Sequence, residues 1–309
     1  MNELASAPSA RERHCPLCTR NEADPLWAKG RLRVVRCRRC TMIYASPVAP
    51  EFASGEFYER SAVRYQLSPD KLEGDFAPVR FERELRLFRA HCPGGAVLDV
   101  GCSTGGFLSQ LCQRWPGAYT VVGTDVAGAA LDHAERRGIQ VIRRAFTDPE
   151  FSPQRFDAVT FWAVLEHLDQ PRDGLTRAAR ILNPGGHCFI LVPNARSLAM
   201  RLLGPRYRYV MPEHVNYFSA LTLRRFASTE PAFRLVSLVS THFNPVVIWQ
   251  DFRHRRDAVP EAERARLLRR TTGWKQNRRL APARRVYALL ERALGRAQLA
   301  DNLVAVLQR

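Results

Sequence analysis

The first residues in this chain with the spacing to do chemistry are two carboxylates set around a glycine turn. Residues 96–108 read Ala-Val-Leu-Asp-Val-Gly-Cys-Ser-Thr-Gly-Gly-Phe-Leu, and Asp125 follows twenty residues after Gly105. The apolar run 96–100 predicts a buried strand broken only by Asp99. Gly101, Gly105 and Gly106 then predict a turn, and Phe107, Leu108, Leu111 and Cys112 the inner face of a helix. Strand, glycine turn and helix start form the first unit of a nucleotide-binding α/β sheet. Glycines let the backbone come close to a ligand, and a helix N-terminus offers free N–H groups. The spacing here is Asp-x-Gly-x-Ser-x-Gly, not the dinucleotide Gly-x-Gly-x-x-Gly. A carboxylate ahead of the first glycine repels a pyrophosphate and suits an ammonium group. Asp125 ends the next strand, 119–125, where it can accept both hydroxyls of a ribose or cap the following helix.

A nucleoside that carries an amino acid is S-adenosylmethionine, and at these residues the chain resembles the class I S-adenosylmethionine-dependent methyltransferases. Ser103 departs from the family, which usually has its second glycine there. Phe156-Asp-Ala-Val and Val164-Leu-Glu-His resemble the family's fourth strand and the loop after it. Asn183-Pro-Gly-Gly, ending a helix, and a strand at 187–192 are also similar to the family. The resemblance covers 15–239 and the final strand. It implies an α/β fold, a Rossmann-like seven-stranded methyltransferase sheet. It also implies cofactor contacts from Asp99, Gly101, Cys102, Ser103, Gly105, Asp125, Val126, Phe146, Ala163 and Glu166, with the turn 145–148 bordering the adenine. For Glu166 the cofactor's amino group and a metal ion are both open, and no clear cluster for a divalent ion is legible.

Four cysteines near the start form a second constellation. Cys15-Pro-Leu-Cys18 and Cys37-Arg-Arg-Cys40 are separated by eighteen residues. Four thiolates at this spacing suit tetrahedral zinc in a ribbon, with no open position for catalysis. A ribbon of about 35 residues is too small to stand on its own core, so metal would supply much of its folding energy. The other four cysteines read as reduced core residues.

Methyl transfer to a hydroxyl needs a base, and two histidines compete for the role. His167 follows the fourth strand, and His214 lies in the Pro212-Glu-His-Val-Asn-Tyr-Phe-Ser segment with Glu213. The expected acceptor is a small molecule or glycan precursor, with O-methylation favoured. RNA is the alternative, suggested by the ribbon and the basic charge, although no amide-clamping Asn-Pro-Pro-Tyr motif or catalytic cysteine pair follows the fourth strand. A non-catalytic S-adenosylmethionine-binding scaffold is the third reading.

The elements around these residues follow from pattern and composition. The chain has 309 residues, 46% hydrophobic and 25% charged, with a net charge of +17. No apolar run approaches the ~20 residues that cross a bilayer, and 1–13 lacks a signal-peptide core, so a cytoplasmic protein is expected. We divide the chain into a disordered N-terminus (1–12), the ribbon (13–50), a linker and cap helix (51–92), the methyltransferase core (93–245), a basic helical insertion (246–299) and a closing strand (300–309). Residues 251–309 hold 15 Arg/Lys and 6 Asp/Glu, a net of +9. Within the insertion Val286, Leu289, Leu290, Ala293 and Leu294 make an apolar stripe, which predicts a helix packed over the active site. Contact of the basic helices with a membrane surface is a further reading.

Overall fold

The computed structural model describes residues 12–54, 56–151, 154–253, 259–276 and 281–309. The N-terminus expected to be disordered lies, apart from Glu12, outside the described residues. Strands β1 (Ala23–Lys29) and β2 (Leu32–Cys37) turn on Gly30 at φ 55°, and β3 (Ile43–Ala45) returns along β2. The following segment is mostly helical: α1 (Pro50–Ser54), α2 (Glu56–Ser61), a π turn at Ala62–Gln66, α3 (Pro69–Phe76) and α4 (Glu82–His91). The last of these is the cap helix expected within 51–92, and it starts only at Glu82. Residues 77–81 turn instead, and Phe81 packs edge-on against Phe107 at 5.9 Å.

The core is built from β4 (Gly95–Val100), α5 (Gly106–Arg114), β5 (Tyr119–Thr124), α6 (Gly128–Arg136), β6 (Gln140–Ile142), β7 (Phe156–Trp162), α7 (Pro171–Ile181) and β8 (Leu182–Pro193). Parallel strands need a crossover, and α5, α6 and α7 supply it. Beyond β8 come α8 (Leu198–Leu203), β9 (Asn216–Tyr217), α9 (Ala220–Ala227), β10 (Arg234–Thr241), α10 (Pro245–Arg253), α11 (Glu261–Gln276), α12 (Ala281–Arg296) and β11 (Asn302–Gln308). The seven-stranded sheet runs β10-β11-β8-β7-β4-β5-β6, with β11 antiparallel to both neighbours. Strand order reverses between β4 and β7, so the crevice for a ligand lies beyond their C-terminal ends. The strands are buried on both faces, by Leu98, Val100, Val159, Phe161 and Ile190 on one and by Val97, Ala158, Phe189 and Val306 on the other, as the uninterrupted apolar runs require.

Two features differ from expectation. β9 leaves the core and pairs with β3, Tyr44 opposite Asn216, so the ribbon is the first part of a four-stranded sheet completed from residue 216. The ribbon is not left to fold on metal alone: Cys15, Cys37, Cys40 and Met42 share one apolar cluster with Leu98 and Phe218. The second difference concerns the insertion. α12 packs along β10 and turns its stripe outward, with Val286 69% and Leu289 62% exposed. Its inward side instead carries Tyr287, bonded to the Phe243 carbonyl, and buried Glu291, paired with Arg83. The helix that approaches the site is α11, which packs on α3 and the π turn.

Candidate functional site

On one side of the crevice the β4 turn meets the end of β5. Gly101, Ser103 and Gly105 all have positive φ, 70°, 50° and 76°. The glycines are required by packing within the protein. A Cβ on Gly101 would stand 2.6 Å from Val164, and one on Gly105 3.1 Å from Ala134. Asp125 accepts the Ser103 N–H on one oxygen and the Ala127 N–H on the other, at 2.8 and 2.9 Å. It therefore ties the glycine turn to the start of α6 while each oxygen keeps a lone pair for a ligand. Asp99 is buried and accepts the Thr160 hydroxyl at 2.5 Å; burial raises its carboxyl to about 7. Burial also raises Asp125, and Glu59, bonded to the Gly128 N–H, adds to the repulsion. Three acids thus gather at one turn, and a cationic ligand would relieve them. The Ser103 hydroxyl has no partner among the described residues. These features fit the ammonium, sulfonium and ribose of S-adenosylmethionine.

The other expected contacts divide. Val126 is 45% exposed beside Asp125, leaving an apolar side chain available for a flat base. Ala163 is exposed at the end of β7 with φ 60°. Cys102 turns its thiol inward, where a Cβ on Gly123 would meet it at 2.5 Å, so only its main chain faces the turn. Phe146 is packed edge-on against Phe151 and Phe161, which commits its ring to the core.

Beyond β7 the loop carrying Glu166 and His167 meets His214. One side-chain atom from each of the three lies within 4.8 Å of the others, and the imidazole centroids are 4.7 Å apart. The sequence reading found no such cluster, because His167 and His214 lie 47 residues apart in the chain. Glu166 is buried, and neither carboxylate oxygen has a partner among the described residues. Burial raises its carboxyl to about 8 and lowers His167 to about 4 and His214 well below the usual range. His167 Nδ1 lies 2.8 Å from the Glu213 carbonyl. A carbonyl only accepts, so Nδ1 carries the proton and Nε2 is left as the acceptor. Tyr58 packs edge-on against His167, and Tyr209 stacks on His214. The set can pass a proton, and its donor types also suit a divalent cation.

Residues that the sequence reading missed hold this cluster in place. The Glu166 carbonyl accepts the N–H groups of Val215 and Asn216, and the Asn216 side chain donates to the Leu165 and Leu168 carbonyls. Arg13, 4% exposed, donates to the Val215 carbonyl, the Asn216 side chain and the Asp169 carbonyl, and pairs with the Asp169 carboxylate. Arg13 directly precedes the cysteine region, and only its single-residue position there could have flagged it. Arg264 reaches the same place from α11, against Glu213 and Met211.

The four ribbon thiols also converge, with all sulfurs within 4.8 Å and the Cys15–Cys40 and Cys18–Cys37 pairs at 3.4 and 3.5 Å. Sulfurs around a tetrahedral zinc stand about 3.8 Å apart, given Zn–S bonds of about 2.3 Å. Main-chain N–H groups hold the Cys37 thiol below its usual range, although burial alone would raise it.

A parallel-core sheet with acids at the β4 and β5 ends and a polar cluster after β7 sets a ligand crevice at the point where strand order reverses. A family model described as a methyltransferase domain matches residues 76–230, half of the chain. The ubiquinone biosynthesis O-methyltransferase of Serratia proteamaculans is 30% identical over 194 residues, 57% of this chain and 79% of that protein. The protein of the same name from Klebsiella pneumoniae is 37% identical over 150 residues, 44% of this chain and 61% of its own length. A methyltransferase structure from Archaeoglobus fulgidus shares the fold at a TM-score of 0.50, with 16% identity, over 82% of this chain and all of that one. The chain belongs to the methyltransferase-domain family and is an S-adenosylmethionine-dependent methyltransferase. It spans about six-tenths of several of the relatives it matches, and the ribbon lies outside the matched family model. Among the described residues no helix is long and apolar enough to cross a membrane.

Proposed function

We propose that this enzyme methylates a hydroxyl oxygen on a small molecule, a phenol-like metabolite or glycan precursor. The observation that supports this reading best is His167, with its tautomer set by the Glu213 carbonyl, beside the unpartnered carboxyl of Glu166. The names of the relatives, O-methyltransferases, support oxygen as the acceptor atom. S-adenosylmethionine supplies the electrophilic methyl group. Asp125 and Asp99, with the main chain at 101–105, orient the donor. His167 Nε2 takes the hydroxyl proton as the oxygen attacks, and Glu166 and His214 stand beside the imidazolium that forms. Tyr58 and the π turn exclude water from the site. Removing a positioned base costs 10²–10⁴ in rate, so His167→Gln should lose turnover in that range while still binding S-adenosylhomocysteine. Label transferred from methyl-labelled cofactor to RNA, with none reaching a panel of phenolic and sugar hydroxyl compounds, would reverse the assignment.

The unpartnered Glu166 favours a second reading, in which Glu166, His167 and His214 hold a divalent cation that binds the acceptor oxygen. Turnover lost to a chelator and restored by Mg²⁺ while the ribbon zinc stays in place separates it from the first. We infer a structural zinc on Cys15, Cys18, Cys37 and Cys40. Exposed Trp249 and Phe252 on α10, with Arg253 and Arg206 stacked on them, support peripheral contact with an anionic membrane surface.

A further inference from the structure

The helical insertion sends one cation into the site. Arg264 lies on α11, and its guanidinium sits 4.7 Å over the Tyr65 ring from the π turn. Its Nη1 is 3.1 Å from the Met211 sulfur and 3.7 Å from a Glu213 carboxylate oxygen. Glu213 is the residue whose carbonyl fixes His167, and the Met211 carbonyl accepts the His214 N–H. The guanidinium is therefore one residue removed from both histidines. Its Nε–H is buried and has no hydrogen-bond partner among the described residues. Gln66, next to Tyr65, likewise has a buried side-chain oxygen without one. A buried guanidinium N–H left unpaired costs more than a neutral group would, so the site as it stands lacks an acceptor.

The two halves of the crevice differ in charge. Asp99, Asp125 and Glu59 crowd the cofactor side. On the other side, where the proposed acceptor binds, Arg264 stands 3.7 Å from one Glu213 carboxylate oxygen, near the unpartnered Glu166. The Arg264 guanidinium is the group on that side that can draw an anion.

We propose that Arg264 is the specificity-determining residue for the acceptor, and that the acceptor carries a carboxylate near the hydroxyl to be methylated. The Nε edge of a guanidinium matches a carboxylate's two oxygens, which a lysine ammonium cannot reproduce. Tyr65 beneath the guanidinium would hold a flat ring at the same time. The inference rests on the small-molecule O-methylation reading.

The test uses the full-length protein loaded with S-adenosylhomocysteine and calorimetry with 3,4-dihydroxybenzoate and its uncharged analogue 3,4-dihydroxybenzamide. The wild type should prefer the benzoate by about 10- to 100-fold, the range for a hydrogen bond to a charged partner. Arg264→Met should lose that preference with S-adenosylhomocysteine affinity unchanged, and Arg264→Lys should retain only part of it. Catechol phosphate as a third probe should bind less well than the benzoate. Equal affinity for acid and amide in the wild type, a preference retained in Arg264→Met, or no binding of the benzoate overturns the proposal. So does tighter binding of the phosphate. Charge-selective binding without methylation of any probe leaves Arg264 in this role and counts against the O-methylation reading instead. If Arg264→Met fails to fold, the Arg264→Lys comparison decides.

Discussion

The Arg13 guanidinium and the Asn216 side chain meet in a buried hydrogen bond, Nη2 to Oδ1 at 3.1 Å, across 203 residues of chain. Asn216 in turn holds the Leu165 and Leu168 carbonyls on either side of Glu166 and His167. The ribbon end of the molecule thus clamps the loop with the proposed base. Arg13→Ala should lower stability by about 3 kcal/mol, the low end for breaking a buried pair, since Asp169 is partly exposed. Urea unfolding measures this. At permissive temperature turnover should fall while affinity for S-adenosylhomocysteine stays near wild type, and equal losses in both would remove the clamp from the account.

Metal removal should act through the same connection. β9 carries Asn216 and pairs with β3 of the ribbon, and Arg225 donates to the Cys40 carbonyl. One zinc per chain is expected by metal analysis, and Cys37→Ser should lose it. Depletion should then change the histidine NMR signals of His167 and His214 before the cofactor site is affected. Unchanged histidine signals in zinc-free protein would argue that the ribbon and the site are independent.

Asp125 ties together Ser103 and Ala127 and is proposed to hold the ribose. Asp125→Ala should weaken S-adenosylhomocysteine binding by about 10- to 100-fold, the loss of charged hydrogen bonds. Calorimetry checks it, and binding within a factor of three of wild type would rule the role out.

Two glycines with left-handed φ should respond differently to alanine. At Gly101 the added Cβ meets Val164 at 2.6 Å, whereas at Gly117 nothing lies within 4 Å. Gly117→Ala should cost only backbone strain, about 1–2 kcal/mol. Gly101→Ala adds overpacking of about 1–3 kcal/mol and should also weaken cofactor binding. Thermal unfolding of the two variants side by side makes the comparison.

Stability should decline between pH 6.5 and 8. Glu166 is raised from 4.5 to about 8 in the fold, so across that interval the native state holds a proton the unfolded state has released. Stability present below pH 4.5 is then lost as pH rises. The histidines act oppositely. His167 is lowered to about 4, so its contribution grows from pH 4 to 6.5 and is complete above that. Asp99 and Asp301, raised to about 7 by burial, add to the decline only up to neutrality. Between pH 7 and 8 Glu166 contributes the largest share of the slope, and in Glu166→Gln the slope should be markedly shallower there. An undiminished slope in that variant would place the titration elsewhere.

Much of the cofactor half was legible because its signals are local. Asp99, Gly101, Gly105 and Asp125 lie within 27 residues, and the strand, turn and helix that hold them are written in one period change. Ser219 caps α9 and Ser197 caps α8 through contacts that are just as local. The apolar stripe of α12 misled, because periodicity identifies an amphipathic face without saying which side the protein covers. There the helix packs along β10 while Tyr287 bonds the Phe243 carbonyl and Glu291 pairs with Arg83, and the stripe is left outside.

The sequence by itself determined the sheet, the cofactor turn and the four-cysteine set, since each depends on neighbours a few residues apart. Only the tertiary structure decided that Glu166, His167 and His214 form one cluster, that Arg13 and β9 bind the ribbon to it, and that Arg264 reaches it from the insertion. Those contacts join segments 46 to 203 residues apart. Their partners are chosen by loop closure and burial, which leave no periodic mark along the chain.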